Sequence, residues 1–169
     1  MREKPRPKHF LVATLLGMLV ASWSAGEEIG PGDPAPPLSA TTLRRTAVDL
    51  EDLRGKVVLL QFWASWCKSC VDGMPELSAL YDEHGGENFE IVGISLDEDA
   101  RAARRVIAEF GLAWPQICDR LGKESPLARS YAVRGTPRFV LIDRQGRVSA
   151  AYVRPSELET KVRALLDSR

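Results

Sequence analysis

"VVLLQFWASWCKSC", Val57–Cys70, decides how this chain folds. Its first half is a nearly unbroken apolar run, the pattern of a strand covered on both faces. Its second half sets Cys67 and Cys70 three positions apart, where that strand gives way to a helix. Cys67 is then expected at or beside the helix N-terminus, where unpaired N–H groups and the helix dipole stabilise a thiolate. Cys70, three residues on, shares a helix face with Cys67 and is within disulfide reach. Lys68 stands between them, either adding positive charge near the sulfurs or lying solvated on the surface.

Working outward, "FEIVGIS" (Phe89–Ser95) and "FVLID" (Phe139–Asp143) read as further buried strands. "VSAAYV", Val148–Val153, follows the turn signal "DRQG" and is expected to hairpin back onto Phe139–Asp143. Residues 40–56 alternate loosely and fit a short hairpin or strand at the sheet edge. Helical spacing runs over Val71–Tyr81 and over Asp99–Phe110, the latter stopped by Gly111. Ser125-Pro126 reads as an N-cap with proline at the first helical position. Ser156 and Glu159 form a capping-box pattern for a final helix carrying Leu158, Val162, Leu165 and Leu166. This order predicts one α/β domain, a mixed sheet with helices on both faces.

The chain's 169 residues suffice for a real hydrophobic core. Its net charge is zero but unevenly spread: +3 over residues 1–26 and −3 over the rest, which gives no basis for a nucleic-acid surface. The basic stretch Met1–His9 precedes 17 uncharged residues, Phe10–Gly26. That is the pattern of a signal peptide, cleaved after Ser24 or Gly26, or of an uncleaved N-terminal membrane anchor. No cysteine lies in residues 1–30, which excludes a lipidated N-terminal cysteine. Either outcome places the domain outside the cytoplasm, in the periplasm or on the outer face of the membrane, where thiol pairs meet oxidising conditions. Residues 27–39 include the proline-rich "GPGDPAPPLS", an extended tether or lead-in, and residues 40–169 form the folded domain.

A zinc site needs about four ligands. Beyond residue 26 the chain offers one CxxC pair, Cys118 and His84, so no metal and no cofactor is expected. A purely structural Cys67–Cys70 disulfide would close a tiny loop and add little stability. A redox pair, in which Cys67 attacks and Cys70 resolves, is the reading that the helix-start position supports beside these alternatives.

"VVLLQFWASWCKSC" followed by "MPELSALY" resembles the thioredoxin fold and, more narrowly, the extracytoplasmic TlpA/ResA-like thiol:disulfide oxidoreductases. The likeness runs from about Pro34 to the C-terminus. It implies a kinked active-site helix at Pro75 and a cis Thr136–Pro137 bond whose backbone pairs with an extended substrate segment beside Cys67. Trp66, next to the nucleophile, is the candidate apolar platform for substrate, or else packs internally. The implied partners are client proteins with disulfides or cysteine pairs, such as apocytochrome c or copper-site assembly proteins, and a membrane thiol–disulfide electron donor. Two departures stand out. Gln61 replaces the buried aspartate of cytoplasmic thioredoxins, and Gly73 replaces the glutamate that ResA-like proteins carry three residues after the second cysteine. Asp72 and Glu76 are the candidate substitutes as proton acceptor for Cys70, or else solvated helix carboxylates. Cys118 is expected to be a buried free thiol, with a regulatory or intermolecular thiol as the alternative. Two other functions stay open: a thiol peroxidase, disfavoured by Ala64 where such sites want threonine, and a thioredoxin-fold protein-binding module without turnover.

Overall fold

The computed structural model describes residues 29–168, so the expected export segment, residues 1–26, lies outside the described residues. A small antiparallel hairpin comes first, β1 (Ser39–Thr41) and β2 (Ala47–Asp49). There follow β3 (Val57–Trp63), α1 (Lys68–Asp72), α2 (Met74–His84), β4 (Phe89–Ser95), α3 (Ala100–Glu109) and β5 (Gln116–Ile117). The chain ends with α4 (Pro126–Ser130), β6 (Arg138–Ile142), β7 (Val148–Ala150) and α5 (Leu158–Asp167). The main sheet has the order β5-β4-β3-β6-β7, with β3, β4 and β5 mutually parallel and β6 and β7 antiparallel to their neighbours.

All seven residues of β3 are buried, as its apolar run requires. Alternation sends them to opposite faces of the sheet. Gln61 meets Met74 of α2 on one face, while Phe62 packs on Tyr131, just past α4, on the other. Helical segments therefore cover both faces. The N-terminal lead-in is also anchored: Gly32 N–H donates to Val148 O (2.8 Å), and Val148 N–H donates to Asp33 O (2.8 Å). The Tyr131 hydroxyl donates to Pro36 O (2.6 Å), and burial pushes that phenol up from its ordinary range.

The structure differs from the sequence pattern in four places. The β1–β2 hairpin forms its own two-stranded sheet, tied to the main one through the Leu43 N–H bond to Gln116 O (2.7 Å). The helix expected over Val71–Tyr81 is two helices joined at Gly73, which ends α1 and precedes α2. Pro75 has no N–H to give the carbonyl of Val71, and its ring crowds that carbonyl, so the chain breaks and restarts with proline in the first turn. The capping box is absent. Pro155 starts a 3-10 turn over Pro155–Glu157 that holds Ser156 inside it, and α5 then opens from Glu157 without a side-chain cap. Strand β7 is shorter than expected and ends at Ala150, its register against β6 slips between Leu141 and Ile142, and further on Val153 N–H donates to Phe139 O (3.3 Å).

Gly93 lies beside Gln116 in the β4–β5 register, and Gln116 Oε1 accepts the Trp63 indole N–H at 3.0 Å. A Cβ at Gly93 would land on that amide. Gly93→Ala therefore displaces Gln116 and strands a buried indole donor. Urea unfolding should show a loss of about 1–3 kcal/mol.

Cys118 follows β5 as a half-buried free thiol, with its Sγ donating to Asp97 O at 3.3 Å. Burial pushes its pKa up, so the thiolate needed for alkylation is scarce at neutral pH. With Cys67–Cys70 closed, iodoacetamide at pH 7 should label Cys118 at least about tenfold more slowly than a free cysteine peptide. The labelling midpoint should lie above the ordinary thiol range.

Candidate active site

Beyond Trp63 the chain leaves the sheet through a turn closed by Cys67 N–H to Ala64 O (3.1 Å). Trp63 is fully buried, whereas Trp66 is 61% exposed, so the second tryptophan is the one presented to solvent. Cys67 caps α1 from an extended backbone (φ −87°, ψ 97°). Its Sγ accepts the Cys70 N–H at 3.3 Å and lies 3.6 Å from Ser69 Oγ. Cys67 and Cys70 are joined in a disulfide with Cα atoms 5.2 Å apart. Both are buried, at 7% and 3% exposure, Cys67 being the more accessible. Because Gly73 ends α1 after five residues, the local N–H groups rather than a long helix dipole supply most of the positive field on Cys67. Lys68 belongs to the surface: its ammonium pairs with the Asp72 carboxylate at 2.7 Å, and both side chains are exposed.

A second segment closes on the pair from β6. Thr136–Pro137 is cis, and both residues are half-buried. Pro137 and Cys70 line one groove of about 670 Å³, together with Glu76, Leu77, Phe139 and Leu158. The structure thus brings Cys67, Cys70 and Pro137 into one region, although they are up to 70 positions apart in sequence. Trp66 lines a different cavity, of about 560 Å³, with Ser65, Asp97 and Leu121. Among the described residues, no group of three or more histidine, cysteine or acidic side chains is placed to hold a metal ion.

Gln61 is wholly buried, its amide pointing an N–H at Met74 Sδ (3.5 Å) while Oε1 has no hydrogen-bond partner among the described residues. An amide there cannot take a proton. Of the two candidate carboxylates, Asp72 is held by Lys68, whereas Glu76 shares the groove with Cys70.

Two residues near the pair carry no sequence motif. Arg138, immediately after Pro137, is buried with its guanidinium over the exposed Tyr152 ring. Asp97 is 3% exposed and accepts from Ser65 N–H (3.0 Å), Ser65 Oγ (2.6 Å) and Ser95 Oγ (2.7 Å). The signal for Asp97 lay in the parallel register. Trp63 pairs with Ser95, so Ser65 and Asp97, each two residues further on, leave the sheet side by side.

Comparison with known proteins agrees with this arrangement. The Redoxin family matches residues 30–166. Thiol-disulfide oxidoreductase ResA of Bacillus thuringiensis (strain Al Hakam) is 34% identical over 122 residues, 72% of this chain and 69% of the relative. The crystal structure of the thioredoxin domain of a thiol-disulfide oxidoreductase from Bacteroides vulgatus superposes with a TM-score of 0.75 at 27% identity, covering 83% of this chain and all of that one. A thiol-disulfide oxidoreductase from Bacteroides fragilis NCTC 9343 gives 0.72 at 32% identity, covering 79% of this chain and 99% of that one. The chain belongs to the Redoxin family and, within it, to the TlpA/ResA-like thiol:disulfide oxidoreductases of thioredoxin-like fold.

Proposed function

We propose that this oxidoreductase is exported and works as a reductase of protein disulfides, with Cys67 and Cys70 as its catalytic pair. The observation that carries the reading is the Cys67–Cys70 disulfide next to a groove that Pro137 also lines. In the reduced protein the Cys67 thiolate attacks one sulfur of the client disulfide. The client S–S bond breaks, one client sulfur leaves as thiolate and takes up a proton, and a mixed disulfide remains. Cys70 then loses its proton and attacks Cys67 Sγ. The Cys67–Cys70 bond forms and the second client sulfur leaves, so two electrons have passed from the dithiol to the client. A membrane thiol–disulfide donor returns the pair to the dithiol.

The main chain at Thr136 and Pro137 pairs with the client's extended segment, and exposed Trp66 gives its neighbouring residues an apolar surface. Residues 1–26 direct or anchor the chain, residues 27–39 lead in, and residues 40–169 form the working domain outside the cytoplasm. Apocytochrome c haem-binding cysteines and the cysteines of copper-site assembly proteins are the proposed clients. The chemistry needs no bound metal or cofactor.

Reduction potential tests the direction of electron flow. Equilibration in defined thiol buffers should give a value near or below about −220 mV, and a value near about −120 mV would make the protein a disulfide donor instead. The division of labour has its own test. Cys70→Ala should accumulate a mixed disulfide through Cys67, mapped by mass spectrometry, and adding Trp66→Ala should slow its formation roughly tenfold. An adduct on Cys118 alone would remove Cys67 as the attacking thiol.

A further inference from the structure

We propose that Asp97 is a positioning residue for thiol–disulfide exchange, holding the turn that sets Cys67 Sγ against the Cys70 N–H. This rests on the reading of Cys67 as the attacking thiol.

The Ala64–Cys67 turn is the one piece of backbone between the end of β3 and the start of α1. Asp97 grips it at Ser65 in two ways. Its carboxylate accepts the Ser65 main-chain N–H, with 3.0 Å to Oδ2 and 3.3 Å to Oδ1, and the Ser65 hydroxyl at 2.6 Å. The carboxylate is itself held from β4. Ser95 Oγ donates to Oδ2 at 2.7 Å while accepting the Asp97 N–H at 3.1 Å, which orients both groups. Two further bonds fix the backbone at and before Asp97: Leu96 N–H donates to Trp63 O (2.8 Å), and the Cys118 thiol donates to Asp97 O (3.3 Å). The carboxylate is buried, so its hydrogen bonds are expensive to lose.

Downstream of Ser65, the same turn points Trp66 outward and delivers Cys67 to the cap of α1. There Cys67 Sγ accepts the Cys70 N–H, a bond that favours sulfur carrying negative charge. Releasing Ser65 lets the turn relax and that bond lengthen, and the Cys67 thiol becomes less acidic. The charge of Asp97 acts the other way. A negative group near Cys67 opposes the thiolate, so removing the charge alone would make Cys67 more acidic. The two effects have opposite signs and can be separated.

The test is the pH profile of Cys67 alkylation in the reduced full chain, read as mass on the Cys67 peptide, in Ser65→Ala and Asp97→Asn. Ser65→Ala keeps the charge and loses the hydroxyl bond. Asp97→Asn loses the charge and leaves a single acceptor oxygen. Positioning predicts an upward midpoint shift in Ser65→Ala, with about threefold less thiolate at pH 7, and a smaller or reversed shift in Asp97→Asn, whose lost charge offsets the released turn. Exchange with a small aromatic disulfide should slow in step. An unchanged or lowered midpoint in Ser65→Ala would reduce Asp97 to a purely structural part and overturn the proposal, whatever Asp97→Asn shows. If Asp97→Asn fails to fold, Ser65→Ala decides alone. Alkylation reports Cys67 acidity whether or not a client is turned over. A parent protein inert towards disulfides would therefore sink the exchange reading, while the midpoints still judge Asp97.

Discussion

Strand β3 is hydrogen-bonded to β4 along one edge and to β6 along the other, and none of its seven side chains reaches solvent. A one-residue slip against either neighbour would turn Gln61 and Phe62 onto each other's face, so the register is strongly specified. That constraint sets where the chain leaves the sheet. Trp63 is the last paired residue, and Ser65, Trp66 and Cys67 take their places relative to β4 and β6 from it. The Cys67–Cys70 pair is thus held by the centre of the sheet, while the segment carrying Pro137 arrives with the antiparallel neighbour.

Much of this was legible in the sequence because its causes are local. An unbroken apolar run signals a strand buried on both faces, and Val57–Phe62 is such a run. Ser125 and Pro126 identified a helix start, and the Ser125 hydroxyl does accept the Ala128 N–H. The cis bond before Pro137 followed from the family resemblance and a residue pair in which cis is cheap. Cys67 at the cap of α1 followed from a strand-to-helix boundary falling on a cysteine.

The errors share a cause, which is that adjacent motifs compete. Helical periodicity runs through Gly73, but Pro75 has no N–H for the carbonyl four residues back, and the helix breaks at Gly73 and restarts. Ser156 matched a capping box, yet Pro155 had already started a tighter turn that consumed it. Asp97 carries no signal in the sequence because its partners are set by register between strands. Sequence spacing alone does not display a bond between residues 32 apart.

Gln61 has a consequence for folding as well as for catalysis. A carboxylic acid buried at the middle of a central strand makes folding take up or release a proton, so stability acquires a slope with pH. An amide has no proton to exchange in that range. Position 61 therefore adds no slope of stability with pH, and such slopes come from other groups: half-buried Glu90, whose carboxyl burial pushes up, costs stability as the pH rises, and the buried Tyr131 phenol, also pushed up, does so in alkali. A central strand without that linkage keeps the scaffold beneath the Cys67–Cys70 pair free of one proton-linked contribution as the pH changes.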